Sequence, residues 1–178
     1  VVYDDEKELN LKELSSLISS IFKNTTYDIS FEPGRYLVAN AGVVITKILT
    51  TKINESVNYL IADAGMQTLL RPAIYNAFHN IIALTNFNND KIEYTVAGPI
   101  CESSDILAKK ILLSRQQTGN YLAICDTGAY GAVMSSNYNT KGLPAEVLVS
   151  NDNFSIIRNH ERVSNIIDRD IIPDWLRD

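Results

Sequence analysis

Between residues 10 and 22 apolar side chains recur at intervals of three and four: Leu11, Leu14, Leu17, Ile18, Ile21 and Phe22. That spacing gathers them on one side and predicts a helix with one buried face. Asn10 and Glu13 form a capping pair at its start. After the polar break at 23–26, Tyr27, Ile29 and Phe31 alternate with Asp28 and Ser30, which predicts a short strand ending at Glu32-Pro33-Gly34-Arg35. Beyond Arg35 the pattern changes to strand-like runs at 43–53, 57–65, 80–85, 91–100, 121–128 and 145–150, separated by Gly, Asn and Asp. Short helical turns are expected at 68–78, where Leu70, Ile74, Ala77 and Phe78 share a face, and at 129–138. There is no internal repeat and no low-complexity tract. The pattern predicts a helix-strand piece feeding a separate β-rich domain, with a boundary near residues 36–42.

Composition narrows the picture without changing it. A chain of 178 residues is long enough for one domain with a core, or for a small domain plus part of another. Its 46% hydrophobic and 21% charged residues are those of a globular protein rather than a disordered or fibrous one. A net charge of -5 with both signs mixed along the chain argues against a general nucleic-acid surface. No apolar run approaches the ~18 residues of a membrane span. The first residues lack the regions of a signal peptide, so a cytoplasmic location is expected. Cys101 and Cys125 are expected to be reduced thiols, and with His79 and His160 they have no metal-site spacing, so no metal is expected. The sequence opens directly on VVYDDE, with methionine only at Met66 and Met134, which reads as a piece of a longer chain.

Four short stretches carry candidate chemistry. In Glu32-Pro33-Gly34-Arg35, glycine lets a ligand approach the backbone and arginine offers a fork of donors. A turn closed by a Glu32–Arg35 ion pair fits the same four residues equally well. In DAGMQTLLRPAIY, Arg71 and Tyr75 stand four apart and so share a helical face, a pair of donors suited to a carboxylate. A solvated arginine beside a core tyrosine is the commoner fate of that spacing. In AGPICESSD, the Gly98-Pro99 turn presents Cys101, Glu102 and Asp105. A thiol beside two carboxylates suits a proton donor better than a nucleophile, and a packed strand-end cysteine is the plain alternative. In CDTGAYGAVMSSNYN, Gly128 and Gly131 flank Tyr130, whose hydroxyl is placed either against a ligand or in solvent. Tyr138 reads as a packing residue, and His79 and His160 belong to no cluster.

Taken in order, FEPGRYLVANAG, DAGMQTLLRPAIY, VAGPICESSD and DTGAYGAVMSSNYN resemble the C-terminal half of the diaminopimelate decarboxylase family, pyridoxal-phosphate enzymes of the alanine-racemase fold group. The resemblance spans nearly the whole chain. It implies that residues 1–38 are the last helix-strand segment of a (β/α)8 barrel and residues 39–178 a C-terminal β domain, Greek-key or sandwich-like, giving a mostly β fold with some α. VVYDDE is similar to the segment that follows the family's glycine-rich phosphate loop. The lysine that carries the cofactor in this family has no counterpart among the chain's own motifs.

Residue by residue, the resemblance implies that Glu32 pairs with the pyridinium nitrogen of pyridoxal 5'-phosphate, that Gly34 presents its N–H to the phosphate, and that Arg35 meets the phosphate or a substrate carboxylate. Arg71 and Tyr75 would hold the distal carboxylate. Cys101 would be the proton donor and Glu102 the contact for the distal amine, both reaching into the site of a homodimeric partner. Tyr130 would touch cofactor, phosphate or substrate. The implied reaction converts meso-2,6-diaminopimelate to L-lysine and carbon dioxide, the last step of lysine biosynthesis. Two other readings stand beside it. One is an ornithine- or arginine-type decarboxylase, whose pocket usually lacks the Arg-Pro-x-x-Tyr arrangement; the other is a noncatalytic β-domain module for dimerisation or regulation. The 178-residue polypeptide alone is expected to release no lysine from diaminopimelate, and detection of lysine by amino-acid analysis would overturn that expectation.

Overall fold

The structure is a computed structural model and describes residues 7–85 and 90–177; the expectation for VVYDDE lies outside the described residues. Among the described residues there are eight strands: β1 (Val44–Asn54), β2 (Val57–Ala62), β3 (Ile81–Ala83), β4 (Lys91–Ala97), β5 (Ile106–Ser114), β6 (Tyr121–Ile124), β7 (Glu146–Ser150) and β8 (Asn153–Arg158). Helices are short apart from the first: α1 (Leu11–Ile21), α2 (Arg35–Val38), α3 (Arg71–Tyr75) and α4 (Val163–Ile167). The expected mostly β fold is what the chain adopts.

Six strands form one sheet in the order β3-β6-β1-β2-β4-β5. β2 and β4 run parallel, because the chain crosses over between them through α3 and β3; the other pairs are antiparallel. The two edge strands, β3 and β5, approach each other, so the sheet curls toward a barrel. Its inside is the core: Ile48, Leu60, Val96, Leu107, Leu113, Leu122 and Ile124, with Leu69 and Ile81. Tyr94 is buried in the same cluster, and its hydroxyl accepts the Gln116 N–H at 3.1 Å, which satisfies the one polar atom of that ring.

Strand β5 was not expected from the sequence. Its Lys109-Lys110 pair interrupts the alternation, and Lys110 stands at φ +54 where the register with β4 shifts. A bulge of this kind places an extra residue against the partner and breaks the period of two. Strand β8 was also missed. Asn151 at φ +52 makes the tight turn from β7, and the Asn151-Asp152 pair between the two runs is the signal that would have found the hairpin.

The first 38 residues depart from expectation in two respects. α1 forms where expected, with the Asn10 side chain accepting the N–H groups of Lys12 and Glu13 at 3.1 and 3.2 Å. Yet its apolar face is not buried: Leu14 and Ile18 are half-buried and the other apolar residues exposed, because no described element packs against them. The expected strand at Tyr27, Ile29 and Phe31 is not one. Those residues have no ladder partner among the described residues, and Tyr27 is 75% and Phe31 65% exposed. An alternating pattern supplies side chains for a strand, but the backbone needs a neighbour to bond.

The turn expected at 68–78 is shorter than its pattern. α3 ends at Asn76 in the left-handed region, and the inward residue is Leu69, fully buried, rather than Ile74 or Phe78. Among the described residues no helix is long and apolar enough to cross a membrane. Leu122→Ala on β6, an interior strand whose Leu122 is fully buried, is expected to lower stability by about 3 kcal/mol. Leu112→Ala on the 66% exposed face of β5 should cost less than about 0.5 kcal/mol. Urea midpoints of the two variants check the difference.

Candidate active site

The segments bearing the first and fourth motifs meet backbone to backbone. A Cβ on Gly42 would lie 2.4 Å from the Gly128 Cα, and one on Gly128 would lie 2.0 Å from the Val38 carbonyl oxygen. Neither position has room for a side chain. Thr127 N–H donates to the Gly42 carbonyl and Gly128 N–H to the Ala39 carbonyl, both at 2.9 Å. This contact locks the loop after β6 onto the turn that follows Glu32-Pro33-Gly34-Arg35. As a result Tyr130 reaches back to Gly34, where a Cβ would come within 3.3 Å of the Tyr130 hydroxyl.

Tyr130 stands at φ +63 and Gly34 at φ +33. For a bulky residue the left-handed region costs about 1–3 kcal/mol and persists only where the surroundings hold it. Here the surroundings include Arg71. Its guanidinium carbon lies 5.3 Å from the Tyr130 ring centroid and 5.8 Å from that of Tyr75. The two rings flank a cation that is 9% exposed. Arg71 Nε is buried and has no hydrogen-bond partner among the described residues. A buried guanidinium with an unanswered donor requires an acceptor, and a carboxylate is the group whose geometry matches its fork. The structure thus gathers Gly34, Arg71, Tyr75 and Tyr130. Glu32 and Arg35 flank Gly34 on the exposed side of the same turn.

His79, which the sequence assigned to no cluster, stands at the back of this group. It is 1% exposed, its Nδ1 lies 3.0 Å from the Cys125 carbonyl oxygen, and burial pushes its pKa down with a further contribution from the Arg71 charge. The imidazole is neutral at physiological pH, which avoids a second buried cation beside Arg71. No local sequence pattern could have indicated this, since Arg71 and His79 approach through the turn after α3.

Cys101 and Glu102 lie in a second group. Both are exposed on the turn between β4 and β5, and neither shares a hydrogen bond, ion pair or ring contact with Gly34, Arg71, Tyr75 or Tyr130 among the described residues. Their partners are Tyr138, whose hydroxyl donates to Glu102 Oε2, and Asn139, whose amide donates to Cys101 Sγ, each at 3.3 Å. The Glu102 carboxylate holds the Tyr138 phenol above its ordinary pKa. Sequence reasoning read Tyr138 as a packing residue; the three consecutive polar residues before it were the available sign of a loop. A groove of about 290 Å³ opens beside Glu102, lined also by Lys52, Tyr59 and Ser103.

The turn carrying Cys101 and Glu102 is shaped by Asp105, which is 2% exposed. Its Oδ1 accepts the Met66 N–H at 2.6 Å and its Oδ2 the Ile100 N–H at 2.8 Å. Gly65 and Gly98 press against the same carboxylate: a Cβ on either would lie 2.3 to 2.7 Å from its oxygens. Burial pushes the Asp105 carboxyl up, against the Ile100 and Met66 donors that hold it down. Asp105 is therefore a structural tie between the segment leading to Arg71 and the turn leading to Cys101.

Comparison with known proteins bears on what these groups do. Residues 1–128 match the family described as pyridoxal-dependent decarboxylase, C-terminal sheet domain. The chain is 40% identical over 164 residues to the diaminopimelate decarboxylase of Aquifex aeolicus, covering 92% of this chain and 39% of that protein. It superposes on a diaminopimelate decarboxylase of M. jannaschii with a TM-score of 0.91 at 36% identity, covering 98% of this chain and 41% of the other. A diaminopimelate decarboxylase of Helicobacter pylori complexed with L-lysine gives a TM-score of 0.87 at 34% identity, covering 95% and 42%. The chain thus spans about 40% of the length of the curated relatives it matches.

Asp105→Ala leaves the Met66 and Ile100 N–H groups without an acceptor and is expected to cost about 3 kcal/mol. Its titration adds a pH signature. Because the folded state holds the Asp105 proton more tightly than the unfolded chain, the unfolded chain binds fewer protons just above the ordinary carboxylate range, and stability falls as pH rises through that window. The difference in urea stability between the native protein and Asp105→Asn, followed over acid pH, should decline with that sign; a flat difference would refute the assignment.

Proposed function

The chain belongs to the pyridoxal-dependent decarboxylase family through its C-terminal sheet domain, and from that membership we propose that the intact protein is a diaminopimelate decarboxylase, converting meso-2,6-diaminopimelate to L-lysine and carbon dioxide in the cytoplasm. Residues 1–38 are then the end of a barrel domain and residues 39–178 the β domain. The observation that carries the choice of substrate is Arg71, buried between Tyr75 and Tyr130 with its Nε unanswered. Diaminopimelate brings a second carboxylate to meet it. Ornithine and arginine have none, and their binding would leave the buried charge unpaired, a penalty that rejects them.

The turn at Gly34 fits a phosphate-bearing cofactor: the backbone is open at φ +33 and the Tyr130 hydroxyl converges on it. Glu32, Gly34, Arg35 and Tyr130 would hold pyridoxal 5'-phosphate, with Glu32 on the ring nitrogen and the Gly34 N–H on the phosphate. Bound there, the cofactor supplies an electron sink for the pair left when the carboxylate departs. The remaining work falls to the chain. Arg71 and Tyr75 fix the distal carboxylate and so orient the reacting carbon. Glu102 accepts the distal ammonium, and the Cys101 Sγ–H delivers a proton to the carbon that lost carbon dioxide. The lack of direct contact between the Cys101–Glu102 pair and the Arg71 group supports a homodimer in which each pair completes the partner subunit's site.

In the intact enzyme Arg71→Ala is expected to lower kcat/KM for diaminopimelate by at least about 30-fold, the scale of a buried charge left without its partner. Cofactor absorbance should stay near the native level. Arg71→Lys keeps the charge without the fork and should fall between. Undiminished turnover by Arg71→Ala would sink the assignment.

A further inference from the structure

Two consecutive residues of one loop hold two consecutive residues of another. Tyr138 donates to Glu102 Oε2 and Asn139 to Cys101 Sγ. The holding loop is braced from behind: Asn137 Nδ2 donates to Glu161 Oε2 and to the Lys141 carbonyl, Leu143 N–H donates to Glu161 Oε2, Glu161 N–H donates to the Leu143 carbonyl, and Arg169 pairs with Glu161 Oε1. A Cβ on Gly142 would sit 1.9 Å from the Glu161 carbonyl oxygen, so the loop closes tightly on that strap. The Asn137 amide, with Leu143 N–H and Arg169 beside it, holds the Glu161 carboxyl below its ordinary pKa, so the brace is ionised at physiological pH. At the tip, Asn139 and Thr140 both adopt left-handed backbone, at φ +55 and +56. A loop that carries two strained residues at its tip, is braced on one side and meets two reactive groups through Tyr138 and Asn139 on the other is built for placement.

We propose that Tyr138 and Asn139 are positioning residues, Tyr138 for the Glu102 carboxylate and Asn139 for the Cys101 thiol; their effect on turnover rests on the decarboxylase reading above. A sulfur that accepts an N–H on one side turns its own S–H away from that donor, which restricts the thiol rotor. When the Sγ–H bond breaks and a C–H bond forms, the electron pair stays on sulfur as a thiolate. The Asn139 amide stabilises that thiolate until solvent returns the proton. Tyr138 occupies one oxygen of Glu102 and leaves Oε1 to accept a substrate ammonium.

The test uses the intact enzyme and two backbone-compatible changes at 139. Asn139→Gly removes the amide while tolerating positive φ, and Asn139→Asp keeps the shape but turns a donor toward sulfur into an acceptor. Alkylation by iodoacetamide at one fixed pH, followed by peptide mapping, reports Cys101 with Cys125 as the control in the same sample. Asn139→Gly is expected to slow Cys101 about three- to tenfold, the factor that one hydrogen bond is worth, and Asn139→Asp to slow it further, while Cys125 keeps its rate. In turnover, Asn139→Gly should act mainly on kcat and Tyr138→Phe mainly on KM. A Cys101 rate within twofold of native in Asn139→Gly, or a common fall in both kinetic parameters that tracks a lowered Tm in both variants, would overturn the proposal. Failure of the intact enzyme to decarboxylate diaminopimelate would overturn the substrate reading instead, since the alkylation measurement needs no substrate.

Discussion

Two backbone N–H groups, of the half-buried Met66 and the buried Ile100, end on one carboxylate, and the arrangement of everything near it follows. Asp105 draws together the end of β2 and the turn after β4, neighbours in the parallel part of the sheet. Two glycines are required because the carboxylate occupies the volume where their Cβ atoms would stand. What leads away from this tie in one direction is the stretch through Leu69 to Arg71; in the other it is Cys101 and Glu102. A single desolvated acid therefore fixes the starting points of both groups of the site. Burial alone would favour its protonation, and the two donors answer that tendency in part. Fixing two segments with one acid also means that neither can shift independently of the other.

The second tie, Gly42 against Gly128, does for the Gly34–Tyr130 contact what Asp105 does for the segments bearing Arg71 and Cys101. One tie is backbone against backbone and the other a side-chain carboxylate on backbone N–H groups, and both lie just outside the ends of strands, where the chain leaves the ladder. The strain follows the same geography. Apart from Lys110 at the β5 bulge, the left-handed backbone lies in turns and loops, Tyr130, Asn139 and Thr140 among them. The curled sheet supplies a close-packed inside that resists deformation, so local strain at its rim can be held without spreading. Hence an exposed thiol and carboxylate are held by a braced loop, while the buried Arg71 is held by aromatic rings.

What could be read from the sequence divides along the same line. Strands whose partners are straightforward announced themselves by period: β2, β4 and β6 lie within the runs expected, and β1 runs one residue past its own. β5 hid behind a bulge at Lys110, because an extra residue on one strand shifts every later side chain to the other face. The strand expected at 27–31 shows the converse, a correct pattern with no ladder to join. In the site, Gly34, Arg71, Tyr75 and Tyr130 were singled out from three separate stretches, but their mutual contact could not be. That contact depends on the Gly42–Gly128 crossing, which joins residues 86 positions apart in the chain by subtraction of those numbers. His79 and Asn139 were illegible for the same reason: each acts through a residue far away in sequence.

Two described elements, the β7–β8 hairpin and α1, leave a whole apolar face uncovered. Along the β7–β8 hairpin, Val147 opposite Ile156 and Val149 opposite Phe154 form one face, and every one of the four is at least half exposed. The outward side of α1 is equally bare, with Leu17 at 55% and Ile21 at 62%. A two-stranded ribbon has too little core of its own to be stable in isolation, and an 11-residue helix is marginal in water without a packed face. Both elements therefore depend on burial that the six-stranded sheet does not provide, whereas the sheet, with its closed core, does not depend on them. Under the decarboxylase reading the six-stranded sheet and the loops tied to its rim carry Arg71, Tyr130 and Cys101, while Glu32 and the turn before α2 lie in the segment that follows α1, whose apolar face lacks cover. On that reading Arg71, Tyr75 and Tyr130 would stand on the sheet and its rim, and Glu32, Gly34 and Arg35 in the part that needs a neighbour.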